Sequence, residues 1–198
     1  MNQSRARSYE LRRRPVVAAL LAERGDTLVI AGLGAPAWDI TAAGDDDLNF
    51  PLWGVMGGAV PLGLGLALAR PERRILVITG DGEMLMGLGA LATVAYQAPA
   101  NLAIVVLDNE SYGETGMQAT HTARRTDLAA IAKGAGIETA GTIYDQGDLD
   151  AALPAIREAP GPVFHAIKVR AEELDIVAPP RDGVQLKRRF RAALLDTG

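Results

Sequence analysis

Two apolar runs, each ending in a polar cluster, constrain this chain more than any other feature. Arg74–Thr79 (RILVIT) leads straight into Gly80-Asp81-Gly82, and Leu102–Leu107 (LAIVVL) ends in Asp108-Asn109. Short, bounded, largely β-branched runs of this kind read as strands buried on both faces. Asp81 and Asn109 are 28 positions apart. That spacing suits a strand, a crossover helix and a parallel return strand, so both side chains arrive at one sheet edge. A carboxylate and an amide oxygen there can hold a hard divalent cation such as Mg2+, which takes oxygen ligands and leaves positions for phosphates. Gly80 and Gly82 allow close approach of the backbone to a diphosphate. A helix opening at Glu83 would turn its free N–H groups and positive dipole end toward the same anion.

The rest of the chain alternates in the same way. Glu10–Arg24 reads as a helix stopped by Gly25, and Thr27–Ala31 as a strand. Gly32–Pro51 is a loop region with room for a short helix. Gly57–Ala69 and Glu83–Gln97 read as helices, and Asp127–Lys133 as a helix with Thr126 as N-cap. Leu149–Glu158 is a helix, Val163–Val169 a strand and Val184–Leu195 a last amphipathic helix. Ser111–Arg125 is a long, polar, glycine-bearing connection of the kind that carries function. The expected fold is therefore α/β, a parallel sheet with helices on both faces. Residues 1–9 read as a basic disordered tail and residues 10–198 as one domain.

Composition excludes several function classes. The net charge of −4 gives no reason to expect nucleic-acid binding. With no cysteine there is neither a disulfide framework nor a thiolate metal site. The arginines at positions 5, 7, 12, 13 and 14 precede an apolar stretch too short for a good signal peptide. Ala59–Ala69 is too short and glycine-rich for a membrane span. The expected setting is the cytoplasm.

Three stretches in order, LNFPLWGVMGGAVPLGLGLALARPERR, ITGDGEMLMGLGALATVA and VVLDNESYGETGMQATHT, resemble the cofactor-binding domain of thiamine-diphosphate (ThDP) enzymes. The resemblance runs from Gly25 to Val169. It is strongest to the cofactor-binding (beta) subunit of sulfopyruvate decarboxylase and the matching part of phosphonopyruvate decarboxylase. It implies ThDP and Mg2+ as cofactors and a ThDP-binding fold. Asp81 and Asn109 would bind the metal through their side chains and Ser111 through its backbone carbonyl. Gly80, Asp81, Gly82 and Glu83 would surround the diphosphate, with Glu83 also favouring the first helical turn. The Gly54 carbonyl and the Met56 N–H would hold the aminopyrimidine ring, with the Met56 side chain wedged between the two rings of the cofactor. The alternative for Leu52–Gly58 is a glycine-rich turn whose Trp and Met are core filler.

The segment after Asn109 reads as a lid that presents Gln118, Thr120 or His121 to substrate, and Gln118 and His121 are the candidate catalytic residues of this chain. His165 reads as structural. The glutamate that activates the pyrimidine ring has no counterpart here, so the resemblance implies a partner: a pyrimidine-domain (alpha-type) subunit. The expected reaction is decarboxylation of a small 2-oxoacid, such as sulfopyruvate or phosphonopyruvate, to an aldehyde and CO2. A carboligase subunit resembling acetolactate synthase and a noncatalytic ThDP-binding regulatory subunit are alternatives. So is an NAD-binding oxidoreductase, because Gly32-Leu33-Gly34-Ala35-Pro36-Ala37 fits G-x-G-x-x-A. No acidic residue follows at the distance that fingerprint requires.

Overall fold

The computed structural model describes residues 4–195. Its elements are α1 (Ser4–Arg7), α2 (Arg13–Leu21), β1 (Leu28–Ala31), α3 (Ala35–Ala43), β2 (Asn49–Pro51), α4 (Ala59–Ala69), β3 (Ile75–Gly80), α5 (Asp81–Met86), α6 (Ala90–Gln97), β4 (Leu102–Asp108), β5 (Ser111–Tyr112), β6 (Gln118–Ala119), α7 (Leu128–Ala135), β7 (Thr139–Ile143), α8 (Gln146–Glu158), β8 (Val163–Lys168) and α9 (Gly183–Leu195). Six strands form one sheet in the order β2-β1-β3-β4-β8-β7, and every pairing is parallel. β5 and β6 form a separate small antiparallel hairpin.

The period-2 rule explains how apolar runs serve two cores. Ile75 and Val77 of β3 and Leu102, Ile104 and Val106 of β4 pack on one face with α4, α6, α7 and α9. Leu76 and Ile78, with Ala103, Val105 and Leu107, pack on the other face with α2, α3 and α8. The expected α/β sheet, covered on both faces, is the fold observed. Strand order reverses between β1 and β3: the chain steps outward from β1 to β2, then returns to β3 and continues to β4. In open parallel sheets the loops at such a reversal separate and leave a crevice at the carboxyl ends of the strands.

Several boundaries differ from the sequence reading. The helix expected over Glu83–Gln97 is two helices, α5 and α6. A Cβ at Gly87 would sit 2.6 Å from the Gly57 carbonyl oxygen, so two backbones touch where the helix breaks. Thr126 is not the cap of α7; Asp127 is, accepting a hydrogen bond from the Ala130 N–H. β2 and β7 are additions, both at sheet edges, where a strand needs only one partner and a weak pattern suffices. The basic tail expected to be disordered is placed from Ser4 onward. Ala6 is buried, the Ala171 N–H donates to its carbonyl at 2.9 Å, and the Arg170 N–H donates to that of Leu11 at 2.8 Å. Residues 1–3 of that expectation lie outside the described residues. No helix among the described residues is long and apolar enough to cross a membrane.

Candidate functional site

The crevice at the strand reversal holds a cavity of about 170 Å³. The sheet register builds its floor. Gly80 pairs with Leu107, so Asp81 and Asp108 leave the sheet side by side and Asn109 follows at the same edge. Gly80, Asp81, Gly82, Leu107 and Asn109 line the cavity, with Leu33 from the turn after β1, Ala35 and Pro36 from the start of α3 and Met56 from the loop before α4. The juxtaposition of Asp81 and Asn109 expected from their spacing is therefore present.

Asp81 is 2% exposed. The Thr120 hydroxyl donates to its Oδ2, and the Thr122 hydroxyl oxygen lies 3.3 Å from the same atom. Burial, and then the neighbouring charge of Asp108, push its pKa up to about 7. An anionic group held this dry calls for a cation or a proton. The Thr122 hydroxyl gives its one proton to Asp108 Oδ1 at 2.7 Å, and the Lys168 ammonium donates to Asp108 Oδ2 at 2.7 Å. Lys168 thus offsets the second carboxylate and leaves Asp81 as the acid on the cavity wall.

Asn109 Oδ1 accepts the Ser111 N–H at 2.9 Å and keeps a second lone pair. Between them Glu110 has a positive φ of 59°. Among the described residues no three His, Cys, Asp or Glu side chains cluster as a metal site. The donor set here is of another kind: one carboxylate and one amide oxygen, with Ser111 buried beside them. All are hard oxygen donors, which fits Mg2+ with places left for phosphate oxygens. The apolar wall fits the rings of ThDP, so the residues present suit both expected cofactors.

The other expected site residues are distributed unevenly. Gly82 is required by packing, because a Cβ there would lie 2.5 Å from the Tyr112 ring. Glu83 is among the lining residues, but its carboxylate is occupied by protein donors. Oε2 accepts the Leu33 N–H at 3.0 Å and the Thr79 hydroxyl at 2.7 Å, and Oε1 accepts the Ala59 N–H at 3.2 Å. Burial raises its pKa, against those hydrogen bonds. This same carboxylate accounts for Gly32 of the G-x-G-x-x-A segment, since a Cβ at Gly32 would stand 1.9 Å from Glu83 Oε2.

Gly54, Ser111, Gln118 and His121 are not part of the cavity wall. Gln118 is exposed on the β5–β6 hairpin, where its side-chain amide bonds Thr115. His121 is exposed at the start of a short 3-10 turn. Thr120, named beside them as a substrate contact, is buried and turned to Asp81. At the rim, the Trp38 and Trp53 rings meet edge to face at 5.3 Å. Trp38 Nε1 donates to Glu114 at 3.0 Å, and Trp53 Nε1 to the Pro180 carbonyl at 3.0 Å.

Sequence reasoning missed Thr122, Asp108, Lys168 and Arg13. Arg13, read only as one of the basic N-terminal residues, is buried, lines the cavity and lies 3.4 Å from the buried Asp39. Asp108 stood next to Asn109 in the second motif and could have been flagged. Nothing local marked the others.

Residues 40–167 match the family described as thiamine pyrophosphate enzyme, C-terminal TPP binding domain. The sulfopyruvate decarboxylase subunit beta of Methanocaldococcus jannaschii is 44% identical over 57% of this chain and 59% of that protein. The phosphonopyruvate decarboxylase of Streptomyces viridochromogenes is 37% identical over 84% of this chain and 42% of that protein. Among solved structures, the benzoylformate decarboxylase of Polynucleobacter necessarius superposes with a TM-score of 0.68 at 19% identity, over 85% of this chain and 34% of that one. The match thus spans 59% of the first of these proteins and less than half of the other two. The family match covers more than half of the chain and contains Asp81, Asn109 and the cavity wall between them: the chain belongs to the thiamine pyrophosphate enzymes, through their C-terminal TPP binding domain.

Proposed function

We propose that this chain is the cofactor-binding subunit of a ThDP- and Mg2+-dependent decarboxylase of small 2-oxoacids, working in the cytoplasm. Sulfopyruvate and phosphonopyruvate are the favoured substrates, the products being CO2 and an aldehyde. The observation that carries this reading is the pairing of Asp81 and Asn109 at the cavity floor. There a buried carboxylate accepts the Thr120 hydroxyl and faces a site of hard oxygen donors. The names of the two curated relatives support the reaction class.

In this reading Asp81 and Asn109 would hold Mg2+ with the Ser111 carbonyl, and Gly80 and Gly82 would leave room for the diphosphate beside it. Glu83 ties the turn after β1, the end of β3 and the start of α4 into one wall. Leu33, Pro36 and Leu107 keep water from the cavity. Met56, in the wall, would hold the rings in register, and Gly54, which stands outside it, would meet the pyrimidine amine only after a shift of the loop before α4. When bound, ThDP supplies the electron sink that accepts the pair released as CO2 leaves. Gln118 and His121 stand outside the wall. A proton-transfer role for them requires the hairpin to fold over the mouth, or a partner to press it there.

Of the described glutamates at or behind this cavity, Glu83 and Glu110 are buried and engaged by protein donors, and Glu114 is exposed and accepts from Trp38 Nε1. We therefore assign the activating carboxylate to a pyrimidine-domain partner subunit. CO2 release from sulfopyruvate and phosphonopyruvate, by this chain alone and mixed with such a partner, tests the reading. Turnover only in the mixture is expected. Full turnover by the chain alone would overturn the two-subunit assignment.

A further inference from the structure

Glu110 separates the two metal-side residues Asn109 and Ser111, yet it faces away from the cavity. Its backbone is left-handed, with φ of 59°. A non-glycine residue rarely stays there unless its surroundings hold it. What holds it is a clamp on its buried carboxylate. The Arg5 guanidinium, the Tyr9 hydroxyl at 2.7 Å and the Lys168 ammonium at 2.9 Å all donate to Glu110 Oε1, and Arg5 Nε donates to Oε2 at 3.3 Å. The Glu110 carbonyl accepts the Thr120 N–H at 3.0 Å, which ties the same turn to the threonine that orients Asp81.

The donors come from distant parts of the chain. Lys168 ends β8. Arg5 and Tyr9 belong to the N-terminal segment, which is pinned by the Arg170 guanidinium donating to the Tyr9 carbonyl at 3.0 Å and by the Ala171 N–H donating to the Ala6 carbonyl.

We propose that Glu110 is a positioning residue for the metal. Its clamp by Arg5, Tyr9 and Lys168 fixes the left-handed turn that points the Asn109 amide oxygen and the Ser111 carbonyl at one cation. The inference rests on the cofactor reading above. The N-terminal segment is then part of the metal site, although none of its side chains is a ligand.

The test is calorimetric titration of Mg2+ into the full-length chain at saturating ThDP, with the melting temperature of the cofactor-free protein measured alongside. Glu110→Ala removes the clamp and keeps a Cβ in the left-handed turn. Glu110→Gly removes the clamp but permits the turn. Loss of groups behind metal ligands typically weakens the metal by about ten- to a hundredfold, and that is expected for the alanine variant. The glycine variant should bind Mg2+ more tightly than the alanine variant. A side chain important only for general stability would not produce that order.

Equal affinities in the two variants, or wild-type affinity in both, would overturn the positioning role. If Glu110→Ala fails to fold, the Arg5→Gln/Tyr9→Phe double variant leaves Glu110 paired with Lys168 and should still weaken Mg2+ by about tenfold. Unchanged affinity there would overturn the proposal. A wild-type chain that takes up neither Mg2+ nor ThDP would instead sink the cofactor reading itself.

Discussion

The floor of the cavity and its rim are built on opposite terms. At the floor Asp81, and behind it Asp108, Glu110 and Lys168, are all buried, and each is engaged by named partners: threonine hydroxyls, an ammonium, a guanidinium and a phenol. Charges taken out of water this far persist only when so paired. At the rim, Val55 is 75% exposed, Met86 63% and Met56 39%. Val55 is β-branched yet sits at φ 61°, a conformation that costs on the order of 1–3 kcal/mol. The floor is finished by this chain's own residues. The rim exposes apolar surface and strained backbone of the kind that a second polypeptide covers.

That contrast can be broken or sharpened by substitution, and the largest effect belongs to the floor. Asp81→Ala should lower Mg2+-dependent ThDP affinity by about a hundredfold or more, through loss of a charged oxygen ligand. The cofactor-free protein should stay folded, because a buried acid beside Asp108 is also removed. Calorimetry with a melting curve reads both, and unchanged ThDP affinity would place the metal elsewhere.

Next comes the junction of the two regions. Gly87→Ala would drive a Cβ against the Gly57 carbonyl oxygen and should destabilise the chain by about 1–3 kcal/mol in denaturant unfolding. Loss of the same size in ThDP affinity would show that floor and rim are coupled; no loss would show that they are independent.

Met56→Ala, at the rim, should reduce turnover of the assembled enzyme by about tenfold, roughly 1.4 kcal/mol in the barrier, with a smaller change in ThDP affinity. Equal losses would make Met56 ordinary packing. Val55→Gly should have the smallest effect on the isolated chain, raising its stability by about 1 kcal/mol through relief of the left-handed φ. The same change should weaken assembly with the partner, read as a higher dissociation constant in sedimentation. Stability that falls would mean that Val55 is held by contacts within this chain.

The parts legible in the sequence are those that repeat a rule locally. RILVIT and LAIVVL announce two central strands, and the polar residues after them mark the sheet edge where Asp81 and Asn109 meet. β2 (NFP) and β7 (TAGTI) are not legible, because edge strands of this length carry neither an apolar run nor strict alternation. The break between α5 and α6 was hidden because Gly87 and Gly89 sit in an otherwise helical pattern. What breaks it is the backbone of residue 57, far away in sequence. The clamp on Glu110 joins residues 105 and 58 positions apart, a distance over which no window of sequence carries a signal. Gln118 and His121 look chemical by residue type alone, and type does not tell which way a hairpin faces.

The place of β8 has a consequence for synthesis on the ribosome. β8 lies between β4 and β7, and it is the last strand among the described residues. Until residues 163–168 emerge, β4 presents an open row of backbone donors and acceptors along one edge, with apolar residues on both faces. An unpaired apolar strand edge is a template for joining another copy of the same chain. Lys168 arrives with that strand, so Asp108 and Glu110 also wait for their ammonium. A nascent chain stalled before residue 163 would carry the whole cofactor motif in its sequence and still be aggregation-prone, with its metal turn unheld. Co-translational pulldown of chains arrested before and after residue 168 should find self-association confined to the shorter ones.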